Sequence, residues 1–139
     1  MGSNILVIFV KAVTKGSGLK ISIITSINLF IILFFRNNTL IPYITLLITM
    51  VASAAMVIID FRLYSILLYV LFAYGSRPNN VRLLILLHSL LVASVLSLPY
   101  LIVDVVSFSL ALTLAFLIVL GVLSLVYKSI RNTASIPQI

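Results

Sequence analysis

Four apolar blocks, residues 21–35, 39–59, 83–103 and 105–127, take up most of this chain, and none of them contains a Lys, Arg, Asp or Glu. A helix crosses the hydrocarbon core of a bilayer in about 20 residues, and in about 17 at the short end. Three blocks are long enough as they stand. The first is flanked by Lys20 and Arg36, whose long side chains snorkel to the interfaces and extend it. Strands of a membrane barrel would alternate apolar and polar residues. These blocks are apolar on all sides, and since lipid admits only helices or closed barrels, the sequence predicts helices. Composition agrees. With 63% hydrophobic and 8% charged residues, the chain has too little charge to face water as a globule, for which about 25% is usual.

Whether residues 63–74 form a further span decides the topology. With five spans, Lys11, Lys15, Lys20 and Arg62 fall on one side and Arg36, Arg77, Arg82, Lys128 and Arg131 on the other, with no bias. With four spans, Lys11, Lys15, Lys20, Arg62, Arg77, Arg82, Lys128 and Arg131 share one side and Arg36 stands alone on the other. Cytoplasmic loops are the ones enriched in Lys and Arg. Twelve residues also make a helix of only about 18 Å. The expected fold is therefore an all-α integral membrane protein with four transmembrane helices in two tight hairpins, both termini cytoplasmic. Residues 63–74 become a short interfacial or re-entrant helix, with five spans as the alternative. Tyr64, Tyr69 and Tyr74 suit an interfacial depth. Residues 1–20 read as a basic amphipathic N-terminal segment, 21–127 as one helical bundle and 128–139 as a short cytoplasmic tail. The apolar run near the N-terminus precedes its lysines, the reverse of a secretory signal. Leu6 stands where a myristoylation pattern wants Ser or Thr.

The two outer turns carry Pro42-Tyr43 and Pro99-Tyr100, a pairing that either duplication or chance explains. In lipid, helices associate through close backbone approach and interhelical hydrogen bonds. Small residues four apart share a helix face. Four sets are therefore the expected packing seams: Ser22 with Ser26; Thr45 with Thr49 and Ser53; Ser89 with Ala93 and Ser97; and Ser107 with Ala111 and Ala115.

Residues able to carry chemistry are few. There is no cysteine, which excludes disulfides and thiolate metal sites, and no glutamate. Asp60 and Asp104 fall at opposite membrane faces and do not form a carboxylate pair for acid/base work. Asp60 and Arg62 read as residues that end the second helix at head-group level. His88 lies inside the third span, where an ionisable group is a functional suspect: a haem ligand, a proton relay or a quinone contact. A bis-imidazole haem needs a second histidine, and this chain has one. A neutral imidazole bonded to a neighbouring helix is the simpler expectation. Asn37-Asn38-Thr39 forms a sequon placed too close to the membrane to serve as an acceptor. No phosphate-binding glycine loop, nucleophile elbow or metal-ligand spacing is present.

These features predict no catalytic residues, no metal and no cofactor. The net charge of +7 lies along one membrane face, which points to anionic lipids and not to nucleic acid. The expected role is a small non-catalytic accessory or structural subunit of a multisubunit complex in a cell or organelle inner membrane, with other membrane subunits as partners. A small homo-oligomeric channel or carrier lined by the hydroxyls and His88 is the alternative. A membrane-embedded shell or coat protein is the third reading.

Overall fold

The computed structural model describes residues 2–134. It contains α1 (Gly2–Phe34), α2 (Ile41–Ile59), α3 (Phe61–Ala73), α4 (Pro78–Ser97), a 3₁₀ turn over Leu98–Ile102, and α5 (Val105–Ala134). Four stretches are long and apolar enough to cross a membrane: Lys15–Phe34 within α1, Ile41–Ile59, Pro78–Ile102 and Val105–Asn132. Helix α3, with 13 residues, is about 20 Å long and is not among them. One helix runs through residue 20 from Gly2, so the basic N-terminal residues and the first span share an axis. Likewise α5 carries Lys128 and Arg131 on its last turns, where cations complement the helix dipole. The remainder of the expected tail, residues 135–139, lies outside the described residues.

Local chemistry explains where the helices stop. Pro42 sits in the first turn of α2, where its missing N–H costs nothing, and Asn38 Oδ1 accepts from the Leu40 N–H at 3.0 Å in the turn before it. Between α2 and α3 there is no loop. Asp60 alone breaks the helix, with its own N–H bonded to the Met56 carbonyl and its carbonyl bonded to the Tyr64 N–H, both at 3.0 Å. Helix α3 ends in a Schellman motif. The Ser76 N–H reaches the Leu71 carbonyl and the Gly75 N–H the Phe72 carbonyl, at 3.0 and 2.9 Å. Gly75 supplies the left-handed conformation this requires, at φ +72°. At the other end Asp104 caps α5 by accepting from the Ser107 N–H. That bond holds the Asp104 carboxyl below its ordinary range.

Helix α5 packs against α2, α3 and α4, most extensively against α4. The main core joins Val57, Leu68, Val92, Leu96, Val119 and Leu123. Three of the four expected seams face inward. On α2, Thr45, Thr49 and Ser53 are buried. On α4, Ser89, Ala93 and Ser97 are each fully buried. Ala93 serves there through its size alone, because a methyl group lets a neighbouring backbone approach and forms no hydrogen bond. On α5, Ala111 and Ala115 are buried and Ser107 is half-buried. The fourth does not face inward. Ser22 and Ser26 are exposed, and α1 instead buries Ser17, Ile21, Asn28 and Ile32. Two polar contacts turn α1 this way: Lys20 pairs with Asp60, and Asn28 bonds to Thr49.

Helix α3 buries Tyr64, Leu68 and Leu71 on one face. Tyr69 and Tyr74 are exposed, whereas Tyr64 is in the core, on the face of α3 that also buries Leu68 and Leu71. The two Pro-Tyr pairs occupy unlike environments. Tyr43 is 72% exposed on α2 while Tyr100 is fully buried in the 3₁₀ turn. The repeated dipeptide therefore does not mark equivalent positions.

Gly75→Ala is expected to lower stability by about 1–2 kcal/mol, the cost of a Cβ in the left-handed region. Gly121→Ala, which meets open space on α5, is expected to raise it by up to about 1 kcal/mol. Thermal unfolding in detergent, followed by helical circular dichroism, checks both.

Candidate functional site

The chemistry-bearing side chains gather in two polar clusters inside the apolar bundle. The first lies at the break between α2 and α3. There the Asp60 carboxylate is nearly buried and forms an ion pair with Lys20 of α1, whose side chain is 39% exposed. Asp60 ends α2, whereas Arg62 lies in the first turn of α3, and the carboxylate's partner comes from 40 residues earlier in the chain. One turn along α3, the Tyr64 hydroxyl lies 2.9 Å from His88 Nε2 on α4. Burial pushes the Tyr64 phenol up to about 12, against a hydrogen bond from the buried Ser17 of α1 that pulls it down. The phenol is therefore neutral at physiological pH. Four helices thus meet at one level through Ser17, Lys20, Asp60, Tyr64 and His88.

The second cluster lies deeper, between α1, α2 and the 3₁₀ turn. Asn28 Nδ2 donates to Thr49 Oγ1 at 2.7 Å, and Tyr100 Oη lies 2.9 Å from the same oxygen. Thr49 spends its own proton on the Thr45 carbonyl, at 2.9 Å. Thr49 Oγ1 is then an acceptor for both neighbours, and Tyr100 is the donor. Each such bond between membrane helices contributes about 0.6–2 kcal/mol. Asn28 and Tyr100 were not legible as a pair from spacing. The available signal was a carboxamide inside an apolar block, since such a group must find a partner.

The remaining seam hydroxyls turn to their own helices. Thr45 bonds the Ile41 carbonyl, Ser53 that of Met50, Ser89 that of Ile85 and Ser97 that of Ser94. This is the usual habit of Ser and Thr in helices. It leaves the buried hydroxyls facing packed backbone. Ala93, between Ser89 and Ser97 on the same seam, belongs to neither polar cluster and acts in packing only. Of the cations expected at one membrane face, four have neighbours that the structure defines. Lys20 meets Asp60, and Arg82 shares a cleft with Lys128 and Arg131. Lys11, Lys15, Arg62, Arg77, Arg82, Lys128 and Arg131 are exposed. Among the described residues, no three His, Asp or Glu side chains come together as metal ligands.

No protein-family profile, curated protein or solved structure matches this chain. Its chemistry is read from these clusters alone.

A Lys20→Met substitution is expected to destabilise the bundle, because it strands a charge in a nearly buried place. Adding Asp60→Asn to that variant should recover part of the loss. A double-mutant cycle by thermal unfolding is expected to return a coupling of about 0.5–3 kcal/mol. Thr49→Val is expected to cost about 1–3 kcal/mol, since it leaves the Asn28 amide without its acceptor and Tyr100 with Thr45 alone. Thr113→Val, on the exposed face of α5, should be near neutral.

Proposed function

We propose that this protein is a small non-catalytic accessory subunit of a multisubunit membrane complex, such as a respiratory or transport assembly, with both termini on the cytoplasmic side. The observation that carries the reading is the outer face of α1. Gly18, Ser22 and Ser26 recur four apart there, Ser22 and Ser26 are exposed, and a methyl group added at Gly18 meets nothing. A stripe of small residues lets another helix approach the backbone closely, and among the described residues no helix covers it.

Other features support the same reading. At most 44% of any candidate span is buried inside the chain, so each helix has apolar surface left for lipid or protein neighbours. Both carboxylates have structural duties, Asp60 in an ion pair and Asp104 as a helix cap. Eight cations fall on the side holding the termini and Arg36 on the other, which favours a cytoplasmic location for the termini. The second reading, a homo-oligomeric channel or carrier, draws on the Tyr64–His88 pair alone.

Native mass spectrometry after gentle extraction from the source membrane tests the choice. Stoichiometric foreign subunits are expected, and Ser22→Leu/Ser26→Leu should release them while circular dichroism stays unchanged. A discrete homo-oligomer with nothing else bound would reject the subunit reading. The channel reading would then be judged by flux through a His88→Ala variant.

A further inference from the structure

At the basic end of the bundle a cleft of about 700 Å³ opens between α4 and α5. Its rim carries Arg82 from α4 and Lys128 and Arg131 from α5, all three exposed. Its wall toward the middle of the bundle is apolar, with Leu86 and Leu120. On α5 the lining positions 120, 124, 128 and 131 recur at helical spacing, so one stripe passes from apolar to cationic toward the helix end.

Among the described residues no carboxylate neutralises this rim. The two carboxylates are Asp60, taken by Lys20, and Asp104, which caps α5 at the opposite end. Three like charges beside an apolar wall repel one another, and the penalty grows as the local dielectric falls. An anion placed among them relieves it. The cleft also offers Tyr127, a buried residue whose hydroxyl has no partner among the described residues.

A free inorganic anion would satisfy the rim but leave the apolar wall bare. A nucleic acid or acidic peptide would do the same. A lipid satisfies both, and basic pockets between membrane helices are known to hold such head groups. The volume lies in the ordinary range for a small-molecule site.

We propose that this cleft binds the head group of an anionic phospholipid, with phosphate among Arg82, Lys128 and Arg131 and an acyl chain along Leu86 and Leu120. Three cations with no counter-charge among the described residues favour a lipid bearing two phosphates over one bearing a single phosphate. The site belongs to this chain alone, so it stands or falls independently of any partner subunit.

The test uses the full chain in nanodiscs of dioleoylphosphatidylcholine doped with a minor fraction of tetraoleoyl cardiolipin, a two-phosphate lipid, read by native mass spectrometry. One cardiolipin retained per chain is expected, in preference to dioleoylphosphatidylglycerol and undisturbed by added inorganic phosphate. Arg82→Gln/Lys128→Gln/Arg131→Gln should weaken retention roughly a hundredfold, at the usual contribution of a basic residue near an anionic head group. Lys15→Gln/Arg62→Gln/Arg77→Gln, with the same change in charge outside the cleft, should leave retention intact. Leu86→Trp keeps every charge and fills the apolar wall, and it too should abolish retention. Equal loss in both charge variants, full retention in Leu86→Trp, no plateau at one lipid, or displacement by inorganic phosphate would each overturn the proposal.

Discussion

The Asn28 carboxamide sits in the middle of an apolar helix and must have a partner, because hydrocarbon supplies none. Its bond to Thr49 decides which way α1 faces. Once that face turns inward, Ser17 and Ile21 follow it into the core at helical spacing, and Lys20 comes within reach of Asp60. The same rotation carries Ser22 and Ser26 to the outside. One amide therefore sets both the inner contacts of the first helix and the surface it offers to neighbours.

The Asp60 break has comparable reach. A continued α2 would leave the bundle as a single long rod. The break lets α3 lay Tyr64, Leu68 and Leu71 against the bundle, and the Gly75 cap returns the chain to Pro78. Helices α4 and α5 then run past the α2–α3 break, His88 lying ten residues beyond Pro78. Their ends, with Arg82, Lys128 and Arg131, extend beyond His88 toward the termini of α4 and α5 and frame the basic cleft. Tyr64 meets His88, and the Phe72 ring lies tilted against that of Tyr127 at 5.7 Å between centroids, so α3 ties the break to the cleft.

Much of the fold was legible in the sequence because lipid is an undemanding solvent to read. Charge-free blocks of spanning length, Pro at helix starts and a Gly-Ser-Arg-Pro turn locate the helices without reference to packing. The seams on α2, α4 and α5 were legible for the same reason, since small residues four apart must share a face. The α1 seam was not. Ser22/Ser26 and Ser17/Asn28 are both polar stripes on the same helix, and spacing does not rank them. Tyr100 and Tyr43 share a Pro-Tyr context, yet one is core and the other surface.

What the sequence determined by itself is the class of solvent and where the four segments long and apolar enough to cross a membrane lie. Each follows from transfer free energies that a residue carries wherever it sits. Tertiary structure alone decided that Lys20 pairs with Asp60, that Tyr64 of α3 reaches His88 of α4, and that three cations converge on one cleft. Those outcomes depend on the rotation of each helix about its axis. Nearly uniform apolarity leaves that rotation undetermined until hydrogen bonds between particular side chains choose it.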